Sequence, residues 1–201
     1  ANAFTFQTAV SNHSMTIQGT VNKTALCLGI LGLCASVSWQ NPNSLYAILG
    51  AIGGLILAIA TIYKKTWAPY TTPMYSACEG LLLGVISYNF ESRFPGIASQ
   101  AIFLTFGVLA ALLLIYRSGL IKVTNNFRLG LFAATGGIAM IYFVGFILSF
   151  FGISIPLIHG SSFVGILFSL GVCVVAALNL VLDFDFIEQG AERGAPKYME
   201  W

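Results

Sequence analysis

Six apolar runs separated by short polar turns constrain this chain more than any other feature. They span approximately Thr24–Trp39, Leu45–Tyr63, Thr72–Phe90, Gly96–Tyr116, Leu129–Phe151 and Ser162–Phe186. A hydrocarbon layer about 30 Å thick takes roughly 20 apolar residues of helix to cross. Inside it no water satisfies backbone N–H and C=O groups, so a chain crosses as helices or as a closed barrel, and these runs are too long and too continuously apolar for barrel strands. The sequence therefore predicts an all-α, polytopic membrane bundle with six transmembrane helices. A polar segment, 1–23, precedes a six-helix domain, 24–186. Residues 187–201 form either a tail anchored at the headgroups by Tyr198 and Trp201 or the approach to a seventh helix beyond Trp201, an expectation that the missing initiator Met and the closing aromatic cluster also suggest.

Composition agrees. Of 201 residues, 57% are hydrophobic and 8% charged, against about 25% charged in soluble domains. A dispersed net charge of +2 is expected to make neither a nucleic-acid footprint nor a polybasic lipid-binding patch. Cys27, Cys34, Cys78 and Cys173 lie singly in apolar runs and read as buried thiols that pack between helices. With no P-loop, G-x-S-x-G or H-E-x-x-H motif, and with His13 and His159 near opposite surfaces, an enzyme is not expected and no cofactor is implied.

Orientation follows from the loops. Lys23, Lys64, Lys65, Arg117, Lys122, Arg128, Arg193 and Lys197 fall on one side if the chain crosses six times, and Arg93 alone on the other. That places the N-terminus inside, in the cytoplasm, so the N-x-[ST] matches at Asn12 and Asn22 read as chance.

Ionisable groups inside apolar helices are the candidates for function, because burying a charge there costs about 2.5–3.5 kcal/mol or more. Three carboxylates qualify: Glu79 in the third run, and Asp183 and Asp185 at the end of the sixth. Asn179 sits one turn before Asp183 on the same face. Asp183 and Asp185 are about 200° apart around a helix, so they cannot form one ion-binding pair, and Asp183 needs a partner from another helix, with Glu79 or a helix beyond Trp201 as candidates. Asp185 shares a face with Glu188 and reads as interfacial. Ser76 and Ser87 extend a polar stripe beside Glu79. Gly50 and Gly54 in the second run, and Gly80 and Gly84 in the third, form small-xxx-small stripes that read as packing devices.

Met15–Thr24, Glu79-Gly80-Leu81, Tyr116-Arg117-Ser118-Gly119, Asn179–Ile187 and Ala195–Trp201 together resemble the bacterial YccA-like branch of the Bax inhibitor family over nearly the whole chain. The most specific part is Asp183-x-x-x-Ile187 closing the sixth run. The resemblance implies a bacterial plasma-membrane protein whose six helices surround a central seventh, which this sequence does not reach. It also implies a pH-sensitive calcium leak gated by a carboxylate pair, with Asp183 as its first member and a calcium ligand. Calcium or protons, besides the lipid bilayer, are the partners so implied. The alternative is a regulatory protein that binds a membrane partner such as a quality-control protease.

Overall fold

The computed structural model describes residues 14–120, 123–152 and 163–201. His13, Lys122, His159, the Asn12 sequon and the Ile155-Pro156 turn lie outside them. Among the described residues there are six long helices: α1 (Ile17–Gln40), α2 (Ser44–Tyr63), α3 (Ala68–Arg93), α4 (Ile97–Arg117), α5 (Asn125–Phe150) and α6 (Phe163–Glu192). Short 3-10 turns at Lys65–Trp67 and Lys197–Glu200 complete the described structure.

Helix ends differ from the apolar runs where capping chemistry extends them. The Thr16 hydroxyl accepts the Gly19 N–H at 3.0 Å, so α1 starts two turns before its apolar stretch and takes in Lys23. Asn43 caps α2 by accepting the Leu45 N–H, and Thr124 caps α5 through the Phe127 N–H. These side chains satisfy donors that the first helical turn leaves without partners. At the other end, α6 runs past Phe186 to Glu192 and stops at Gly194, whose φ of +68° admits the left-handed turn that closes a helix. Residues 187–192 are thus the last turns of α6.

Five of the six helices are long and apolar enough to cross a membrane: α1, α2, α4, α5 and α6. The third is long enough, 26 residues or about 39 Å, but richer in polar groups. Its position accounts for this. α3 lies between α1 and α2 and buries Thr71, Ser76, Gly80, Gly84 and Val85, so the Thr71 and Ser76 hydroxyls meet protein rather than lipid. The other helices expose Leu, Ile, Phe and Val widely, among them Leu33, Phe103, Phe132 and Phe163, as lipid-facing surfaces do.

The chain divides into two compact units, one comprising the chain up to Phe103 with Ile187–Trp201, the other Leu104–Phe186. In the first, α1 runs parallel to α3 and α2 antiparallel to it, and glycines let the backbones meet. A Cβ at Gly50 would lie 2.5 Å from the Cys78 carbonyl oxygen and 2.9 Å from the Leu82 nitrogen. One at Gly80 would collide with the Leu31 carbonyl and lie 2.9 Å from Cys34 Cβ, and one at Gly84 would collide with Ser38 and the Ala35 carbonyl. Trp39 packs edge-on against Tyr88 at 6.1 Å. On the α2 side, the Thr61 and Thr71 hydroxyls share a 2.6 Å hydrogen bond.

In the second unit, side chains bridge α5 and α6. Arg128 pairs with Asp185, Asn179 Nδ2 donates to Thr135 Oγ1 at 2.9 Å, and Tyr142 meets Phe168 at 6.4 Å. The α5 members recur every seven residues, or two turns, which keeps them on one face.

Candidate functional site: the helix carboxylates

The two aspartates of α6 point to different surroundings. Asp185 is neutralised by the Arg128 guanidinium from the first turn of α5, and its side chain is 16% exposed. Asp183, two residues earlier and on the other side of the helix, is exposed and has no hydrogen-bond or ion-pair partner among the described residues. One helical turn before it, Asn179 is committed elsewhere: its amide donates both to Thr135 and to the Val175 carbonyl of its own helix. The 200° offset between the aspartates is realised as one paired and one unpaired carboxylate. Beside them, Phe184 packs on Tyr116 at 5.8 Å.

Glu79 belongs to the first unit. Its carboxylate lies over Gly54 of α2, where a Cβ would sit 3.4 Å from Glu79 Oε1 and 3.8 Å from the Tyr75 ring. Ser76, one turn before Gly80, is buried and donates to the Thr72 carbonyl of α3 itself, so this member of the polar stripe is satisfied within its own helix. Among the described residues no three His, Cys, Asp or Glu side chains converge as a metal-ion cluster would require.

Two further carboxylates, both outside the apolar runs, hold helix ends. Glu91 near the end of α3 accepts the Gly96 N–H at 2.6 Å and the Ala98 N–H at 3.0 Å, placing negative charge on the positive end of α4. Its position just before Pro95-Gly96 is the signal that could have found it. Glu200 does the same for α1 and is 4% exposed. Its Oε1 accepts from the Thr16 N–H at 2.9 Å and the Thr16 hydroxyl at 3.0 Å, and its Oε2 pairs with Lys23. Burial pushes this carboxyl upward, but the Lys23 and Thr16 donors outweigh it and hold Glu200 below the ordinary carboxylate range. Met15 completes the junction: its N–H donates to the Ala195 carbonyl at 2.6 Å, and its side chain is buried close to Gly190.

A bundle of long apolar helices with carboxylates set among them defines a multi-pass helical membrane protein. The chain belongs to the Bax inhibitor 1 like family, whose model matches residues 1–201. Searches among curated proteins and among solved structures returned no match.

Proposed function

We propose that this protein is a non-enzymatic, pH-sensitive cation leak of the bacterial plasma membrane, of the YccA-like branch of its family. In this reading the N-terminus is cytoplasmic, calcium is the cargo and Asp183 is the gating carboxylate. The observation that supports it is the contrast on α6: Asp185 is neutralised by Arg128, whereas Asp183 keeps its two oxygens without a protein partner among the described residues. A protonated Asp183 is neutral and offers a cation little. Once ionised it presents hard oxygens of the kind calcium prefers, and water and other groups would complete the six to eight ligands the ion takes. Proton and cation thus compete for one group, and pH shifts the balance between a shut and an open population. Glu79, over Gly54 of α2 within the first unit, is the second helix carboxylate that this reading assigns to cation conduction.

The test is calcium entry into dye-loaded liposomes at about pH 6 and about pH 8, with Asp183→Asn and Asp185→Asn alongside. Flux that rises with pH in the native protein and loses its pH dependence in Asp183→Asn supports the gate. Well-folded protein that passes no calcium at either pH favours the second reading, a regulatory protein that binds a membrane partner.

A further inference from the structure

One end of the first unit gathers basic and aromatic side chains from two stretches more than 120 positions apart. There α1 begins, α2 ends and α3 begins, and the turn Lys197–Glu200 packs against α1, α3 and the turn Lys65–Trp67. Lys64, Lys65 and Lys197 are exposed. The Lys64 ammonium stands 4.4 Å over the Trp67 ring, and Tyr63 and Tyr70 are 89% and 77% exposed beside it. In these two stretches, 63–70 and 195–201, Glu200 is the only acidic residue. It is buried and paired with Lys23, and the lysines that the sequence disperses along the chain are brought to one end of this unit by the fold.

From this juxtaposition we infer that the end formed by Tyr63–Tyr70 and Lys197 is a binding surface for the headgroups of anionic phospholipids. The aromatic rings have the amphipathic character of side chains that settle at headgroup depth. The lysines beside them meet the lipid phosphate there, and Lys64 is steered by the face of Trp67. Lysine is a compact point charge with three rotatable donors, which suits a mobile phosphodiester. The inference does not depend on the leak reading, because it requires only that this end lie at a membrane surface.

Native mass spectrometry of the full-length protein, released from nanodiscs holding equal phosphatidylglycerol and phosphatidylcholine, tests it. The native protein is expected to retain phosphatidylglycerol preferentially. Each lysine removed should lower that preference about fivefold, so K64Q/K65Q/K197Q abolishes it, while K64R/K65R/K197R and the control R93Q/R117Q keep it. Equal retention of the two lipids by the native protein overturns the proposal, as does unchanged preference in the glutamine variant. Displacement of the lipid by millimolar inorganic phosphate also overturns it, since the surface would then read a free anion. Circular dichroism of each variant separates lost binding from lost fold.

Discussion

At Gly19 the Glu200 carboxylate occupies the space that a side chain would need. The first turn of α1 therefore takes glycine for room rather than for backbone conformation. Gly19→Ala forces the carboxylate away from Thr16 and Lys23, and overpacking of this kind costs about 1–3 kcal/mol; a lowered unfolding midpoint in detergent checks it. Glu200→Gln keeps the shape but loses the charge-assisted bonds, a loss of about 2 kcal/mol. The pH dependence has a definite sign. A carboxyl held below its ordinary value contributes stability above that value, 4.5, and loses it as the pH falls through the lowered one. The gap in midpoint between native protein and Glu200→Gln should thus be constant near neutrality and close under acid conditions below 4.5.

Helices α1 and α2 reach α3 through glycine, and helices α5 and α6 reach each other through long side chains. This difference predicts unequal tolerance to the same substitution. Gly84→Leu drives a branched side chain into Ser38 and the Ala35 carbonyl and should cost about 3 kcal/mol or more. Gly137→Leu, where nothing lies within 4 Å, should stay within about 0.5 kcal/mol. Thermal unfolding of the two variants in one detergent compares them directly. At this scale the sequence was readable where the signal is local. The spacing of Gly50 with Gly54 and of Gly80 with Gly84 lies within two turns, and the opposed faces of Asp183 and Asp185 follow from the helical period. Contacts between distant segments leave no such trace. Arg128 is 57 positions from Asp185, and nothing in either neighbourhood names the other. The starts and stops of α1 and α6 escaped the apolar runs because caps and a left-handed glycine, not hydropathy, decide them. The polarity of α3 has the same cause, since its burial comes from neighbours and not from its own composition.

For the whole molecule, the number of crossings turns on α3, the helix whose composition argues least for a membrane span. If it crosses, the turn at Lys65–Trp67 and the residue that follows Arg93 lie on opposite faces. With Cys27, Cys34, Cys78 and Cys173 replaced by Ala, single cysteines introduced as Thr66→Cys and Phe94→Cys can be probed with a membrane-impermeant maleimide on intact cells. Phe94→Cys is expected to label and Thr66→Cys to be protected until the membrane is opened; labelling of both or neither would mean that α3 does not cross. The junction at Glu200 bears on how the protein is made. Thr16 and Glu200 are 184 positions apart, and synthesis at about 5–20 residues per second separates them by roughly 10–40 s. Through that interval α1 is already in existence while the acid that seats its first turn has yet to leave the ribosome. Lys23 must spend the wait among lipid headgroups or water, so α1 is secured only after α2 to α6 have been translated.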